Sequence, residues 1–279
     1  MQKKKKRHPG VLSKMRSGLS SRLTALSRER SLRSGEFGSA QVRYFNLKLY
    51  VLETDELFVV PDCHRELTIK NLKSRLELLV GIPIHFQRLQ YLDGVDLNDA
   101  STIKQNDIIP GGTLSLRIWA EDAWGCLVAA AATGKIRKLT AAGATNFSMF
   151  STANADRLGP EAKSEWLAHR AFVALFITVR RAHLAAVEFL LQNGADVKRK
   201  TPLGRTALHV AVTSGNISCV DILLDYGARV NEEDNDGYTP TVLARLWGQK
   251  DCERRLFRYQ WKMRAARASK SRLDVKVES

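Results

Sequence analysis

Nowhere in its 279 residues does the sequence hold an uncharged apolar run of the length, about 18 residues, that crosses a membrane. The nearest candidate, Ala171–Val179, is closed off by Arg180 and Arg181. No apolar signal-peptide core follows the first lysines. Cysteine is scarce: Cys63, Cys126, Cys219 and Cys252 are widely scattered and form no C-x-x-C pair. With no histidine cluster at ligand spacing either, no metal site is expected. The thiols read as reduced core or surface groups, which favours an intracellular compartment. There is no phosphate-binding glycine loop, no H-E-x-x-H and no nucleophile elbow, so neither an enzyme nor a bound cofactor is expected.

What is abundant is positive charge, and its location matters more than its sum of +15. Residues 1–40 are net +9 and residues 250–279 net +6, so the body between them is neutral. A nucleic-acid-binding domain carries its basic stripe on the folded surface. Here the charge sits in the terminal segments, so nucleic acid is not expected as a partner of the folded body. Any binding through the termini would be salt-dependent and blind to sequence. Residues 1–42 read as a basic tail too polar to bury a core. Within it, Lys3, Lys4, Lys5, Lys6 and Arg7 form a candidate nuclear-import signal or anionic-surface patch, against the alternative of a merely solvated terminus. Leu12, Met15, Leu19, Leu23 and Leu26 would share one face of a helix. Such a basic amphipathic helix suits a membrane surface or a partner groove, and mitochondrial targeting is a minor alternative.

Residues 43–119 alternate and punctuate like a small mixed domain. Phe45, Leu47, Leu49 and Val51 mark a half-buried strand, and Leu57 to Val60 a returning one. Ile69, Leu72, Leu76 and Leu79 fall on one helical face, with Thr68 as N-cap and Gly81 and Pro83 as the stop. Phe86 to Tyr91 reads as a third strand turned by Asp93-Gly94, and Thr113 to Ile118 as the last. The order strand, strand, helix, strand, strand is the β-grasp arrangement. Across this stretch the sequence resembles ubiquitin: Thr68-Ile69-Lys70-Asn71-Leu72-Lys73, Gly81-Ile82-Pro83, Gln87-Arg88-Leu89, Thr102-Ile103 and Thr113-Leu114 keep that family's order and spacing. The resemblance also implies differences. The family's free Gly-Gly end is replaced by Ile118-Trp119-Ala120-Glu121, which runs on into more protein, so no conjugation is expected. The isoleucine and valine that receptors grip in ubiquitin align with Gln90 and Arg117. Replacing them removes the apolar contact that dominates such interfaces. The domain is therefore read as a docking module with a different partner, or as a spacer.

The second half matches itself at a constant offset, the spacing from Gly204 to Gly237. Gly204, Thr206, Ala211 and Gly215 recur as Gly237, Thr239, Ala244 and Gly248. Leu190-Leu191 recur as Leu223-Leu224 and then Leu256-Phe257. Gly194-Ala195 and Val197 recur as Gly227-Ala228 and Val230. With Thr206-Ala207-Leu208-His209-Val210-Ala211, this pattern resembles the ankyrin repeat. Two repeats are clear (near 202–234 and 235–262). A third (near 166–198) keeps only its second helix, and a fourth around Leu127-Val128-Ala129-Ala130 is weak. Phe147 to Glu165 reads as an insertion, and 263–279 as a basic tail. His209 is expected to hydrogen-bond along the stack rather than bind metal.

The fold expected is thus α+β and multidomain: a β-grasp ubiquitin-like domain over 43–119, then an all-α ankyrin solenoid over 121–262. The function expected is a non-catalytic scaffold or adaptor binding protein partners as a monomer, cytoplasmic or nuclear. The alternatives are a ubiquitin-pathway targeting cofactor and a binder of nucleic acid or anionic surfaces through its tails. In ankyrin stacks the projecting finger turns usually bind. Here one finger carries Lys198, Arg199, Lys200 and Arg205, and the next Glu232, Glu233, Asp234 and Asp236. Two fingers of opposite sign would orient a partner of complementary charge, or would be solvated turns that attract one another weakly.

Overall fold

Every second residue of strand β1 (Phe45–Val51) points inward, and Leu47, Leu49 and Val51 are fully buried. Strand β2 (Glu56–Cys63) returns antiparallel beside it. Strand β4 (Thr113–Ile118) runs parallel to β1, with Leu49 opposite Leu114 and Val51 opposite Leu116. Strand β3 (Gln87–Gln90) closes the far edge antiparallel to β4, giving the order β2-β1-β4-β3. Helix α1 (Ile69–Val80) lies across the inner face. Thr68 caps it by accepting the Asn71 N–H at 3.3 Å, and Gly81 ends it in the left-handed region at φ 70°. This is the β-grasp order expected. Phe86 belongs to a 3-10 turn (Ile84–Phe86) ahead of β3 rather than to the strand. The computed structural model describes residues 42–277; Lys3–Arg7 and the Leu12–Leu26 face lie outside the described residues.

The helical half consists, among the described residues, of α2 (Trp124–Thr133), α3 (Ile136–Ala141), α4 (Pro160–Arg180), α5 (Leu184–Gln192), α6 (Ala207–Ser214), α7 (Ile217–Asp225), α8 (Pro240–Leu246) and α9 (Lys250–Val277). Pairs α6–α7 and α8–α9 are the two clear repeats. Thr206 and Thr239 cap their first helices, and Gly215 at φ 73° ends α6. Leu208, Ala211, Val220 and Leu223 are wholly buried between neighbouring pairs, which is how a stack covers faces that one pair cannot cover alone.

Two boundaries differ from the sequence reading. Helix α4 begins at Pro160, inside the supposed insertion, and runs for 21 residues. Its apolar stretch Ala171–Val179 is buried at every position, because α2, α5, α6 and α1 pack around it. An all-round apolar helix is a central one. At the other end, α9 does not stop near residue 262 but continues to Val277. The glycines that end the earlier second helices, Gly194 and Gly227, have Gln260 in their place, so nothing supplies the left-handed stop.

The ubiquitin-like domain does not stand apart from the stack. One continuous apolar core runs from Leu47 in β1 to Leu256 in α9. Helix α1 is buried on two faces: Ile69, Leu72 and Leu76 serve the β-grasp core, while Glu77, Leu78 and Val80 are buried as α1 packs against α4 and α6.

Candidate functional site

The finger residues are not a free, bipolar surface. Lys200 pairs with Glu232 at 2.7 Å and donates to the Glu233 carbonyl at 3.3 Å. Arg199 pairs with Glu165 on α4. Arg205 and Asp234 are buried, 4% and 5% exposed, and the Arg205 Nε donates to the Asp234 carboxylate at 3.3 Å. Asp236 lies 3.8 Å from the same guanidinium. The two fingers thus neutralise each other, and the expectation that Arg205 and Asp234 face a partner is corrected by their burial. Lys198, Lys200, Glu233 and Asp236 keep at least part of their surface in solvent.

What the fingers hold instead is the ubiquitin-like domain. Arg205 Nη1 donates to the Ser74 carbonyl at 2.6 Å and Nη2 to the Ser74 hydroxyl at 3.1 Å, both on α1. One turn further along α1, Glu77 is wholly buried. Its carboxylate accepts from the Thr201 hydroxyl at 2.7 Å and the Ile84 N–H at 2.6 Å, with Arg205 at 3.8 Å. Burial raises the Glu77 carboxyl above its ordinary range, and the nearby Arg205 charge offsets part of that. The arginine therefore bridges two carboxylates, Glu77 from one domain and Asp234 from the other.

A second set of contacts closes the same junction. Arg180 donates to the Leu78 carbonyl at 3.2 Å, and Arg181 to the Val80 carbonyl at 3.0 Å and the Glu56 carboxylate at 2.6 Å. These arginines occupy carbonyls at the end of α1 that have no partner within the helix. Beyond them, Phe86 meets Trp124 with ring centroids 4.4 Å apart, and His85 stacks on His169 at 5.3 Å. Arg170, fully buried, lies within 4.6–4.8 Å of the rings of Phe150, Trp166 and Trp124, and donates to the Ala142 and Asp122 carbonyls. Burial lowers its pKa to about 10. Arg180 and Arg181 were legible only as the end of an apolar run and Phe86 only as a strand residue, and Trp124, His85, His169 and Arg170 did not stand out in the sequence at all. The signal was present in α1, where Leu76-Glu77-Leu78-Leu79-Val80 is apolar around more than one face.

His209 acts along the stack, as expected. Its Nδ1 accepts from the Thr206 N–H at 3.0 Å, which leaves the proton on Nε2 to donate to the Tyr238 carbonyl of the next repeat at 3.2 Å. Burial lowers its pKa to about 4. Cys63, Cys219 and Cys252 are buried, with thiols raised to about 11, 12 and 11, while Cys126 is exposed. Among the described residues no group of three or more His, Cys, Asp or Glu could hold a metal ion, and no helix is long and apolar enough to cross a membrane.

The outer face of the sheet is turned away from this junction. Gln90 donates to Asp96 at 2.8 Å, Arg88 pairs with Asp96 at 2.9 Å and lies 4.1 Å over the Trp119 ring, and Arg117 is exposed opposite Arg88. That face is polar and cationic where receptors of ubiquitin need aliphatic contact.

Comparison with curated proteins gives no match. Family models match at two places: a ubiquitin-like domain over residues 47–109, and ankyrin repeats in three copies over residues 175–265. Helices α2 and α3 lie outside both matched ranges. Domains of these two kinds are typically non-catalytic and suit protein interaction. The chain therefore joins an N-terminal ubiquitin-like domain to a set of ankyrin repeats.

Proposed function

We propose that the protein is a non-catalytic scaffold or adaptor whose ubiquitin-like domain is never conjugated and instead forms a fixed part of the repeat stack. The observation that carries this is the exit of β4. At Ile118 the chain passes through Trp119 and Ala120 directly towards α2, whose Trp124 is seated on Phe86. The segment that conjugation requires as a free, extended tail is here a short connection, exposed along Trp119, Ala120 and Glu121 but held at both ends by the buried Ile118 and Trp124. The domain also presents Gln90 and Arg117 in place of an aliphatic patch.

The test is to incubate the full chain with ubiquitin-activating enzyme and ATP. No thioester is expected, and no micromolar binding to a ubiquitin-interacting helix. A thioester, or binding of that strength, would overturn the reading.

The exposed finger cations belong to the same proposal. Reversing the charge of Lys198, Arg199 and Lys200 is expected to slow association with a protein partner several-fold at low salt, and to cost in stability only the ~0–1 kcal/mol each of the exposed Lys200–Glu232 and Arg199–Glu165 pairs that it breaks. An unaffected rate removes the fingers as a site. An intracellular location, with Lys3–Arg7 directing nuclear import, completes the proposal. Replacing that run by alanine in a fluorescent fusion should redistribute the chain, and an unchanged image would leave the run a solvated terminus.

A further inference from the structure

The constant offset between repeats makes the last one comparable, position by position, with those before it. Leu191, Leu224 and Phe257 occupy one position. They are 8%, 2% and 47% exposed. Ala195, Ala228 and Trp261 occupy another, at 7%, 5% and 71%. In the inner repeats the next pair covers these sites, since α5 packs on α7 and α7 on α9. On α9 no described residue does so. A solenoid end of this kind normally carries a polar outer face, whereas this one presents two aromatic rings.

The surroundings of the rings state what can cover them. Arg254, Arg258, Lys262 and Arg264 are exposed around Phe257 and Trp261. Arg254 pairs with Asp251 at 3.5 Å, while among the described residues no ion pair reaches Arg258, Lys262 or Arg264, although Arg264 shares a hollow with Glu232 on its other side. Phe257, Arg258, Gln260, Trp261 and Arg264 line a shallow hollow. A second copy of α9 would bring like charges together. The chain's own N-terminal segment, residues 1–40 at net +9, would do the same. We infer that the outer face of α9 docks an acidic amphipathic helix of a partner protein, which stacks where the next repeat would and sets carboxylates against Arg258 and Arg264. Its apolar side covers Phe257 and Trp261, and large aromatic side chains and arginines are the residues that dominate protein interfaces. This extends the protein-interaction reading above and does not depend on the ubiquitin-like domain being unconjugated.

The probe is a fluorescein-labelled synthetic helical peptide with leucines on one face and glutamates flanking them, titrated against the full chain by anisotropy. A control peptide carries lysine in place of every glutamate. The acidic peptide is expected to bind in the micromolar range, more weakly as salt rises, and the lysine peptide not to bind. Arg258→Glu combined with Arg264→Glu should weaken binding at least about tenfold, as should Phe257→Ala combined with Trp261→Ala. Because these side chains are exposed, the thermal transition of each variant should stay near that of the parent. No binding of the acidic peptide, equal binding of both peptides, or full binding by the charge-reversed variant would overturn the inference. Binding to phosphatidylserine vesicles without binding to the peptide would assign the face to lipid instead. A concentration-dependent dimer lost with Trp261→Ala would assign it to a second copy. The conjugation assay is read separately, so either proposal can fail alone.

Discussion

At the scale of single residues, the junction between the domains rests on Arg205. Its side chain is 5% exposed and lies between Glu77, 0% exposed, and Asp234, 1% exposed. Removing one partner from a buried charge network strands the others, at about 3–5 kcal/mol. Arg205→Ala is therefore expected to lower unfolding stability by that order, read from the urea midpoint, and Arg205→Lys to recover little. A lysine cannot reach Ser74 and Asp234 together through one planar fork. Loss below about 1 kcal/mol in equilibrium melts would show the network to be dispensable. His209 makes a prediction with a definite sign. An unfolded imidazole titrates near 6.5, and this one titrates near 4 in the fold. Below pH 6.5 the unfolded chain takes up a proton that the folded chain refuses, so stability falls as pH drops from 6.5 towards 4. The full loss is up to ~3 kcal/mol, and above that window His209 adds no pH dependence. Burial lowers His85 and His169 to about 4 as well, so they add to the same slope. Urea melts at several pH values should show it, and His209→Gln should remove about a third of it and leave the rest.

Among the elements, α1 is the most instructive. Its start, its stop and one buried face were legible: Thr68 caps it, Gly81 ends it, and Ile69, Leu72 and Leu76 face the sheet. Its second face was not, because nothing local distinguishes a glutamate that will be solvated from one that will be buried against a segment 124 residues away. The same holds for Gly81. Its role as a helix stop could be read, but not that a Cβ there would meet the Arg180 Cβ at 2.4 Å. Gly81→Ala should therefore cost more than the ~1–2 kcal/mol of a left-handed residue alone, measured as a shift in urea midpoint. A cost within that range would mean that α4 yields easily. The sign of the finger charges was also legible, while their mutual closure was not, since opposite charges on neighbouring turns read alike whether they await a partner or each other. The third repeat was obscured because α4 replaces a short first helix by one of 21 residues with no threonine start.

For the whole molecule, the continuous core sets the expected cooperativity. Leu78 and Val80 are buried at the junction, with Ile82 and Trp124 close by. Each fully buried side chain of this size is worth about 1.5–3 kcal/mol. A domain's total stability is of the order of 5–15 kcal/mol, so neither half can separate without losing a large share of it. Calorimetry of the full chain should give one transition covering both halves. Two resolved transitions, one assignable to the ubiquitin-like domain, would show that the junction opens first.

The clasp between α1 and the fingers has a geometric consequence. With Arg205, Arg180 and Arg181 holding the two halves at one angle, the outer face of the sheet and the far end of the stack keep a fixed separation on one body. Partners seated at both would meet at a spacing set by the protein and not by a tether. Such an arrangement loses no encounters to the wandering of a flexible linker, and it rejects any pair of partners whose own reach does not match the span.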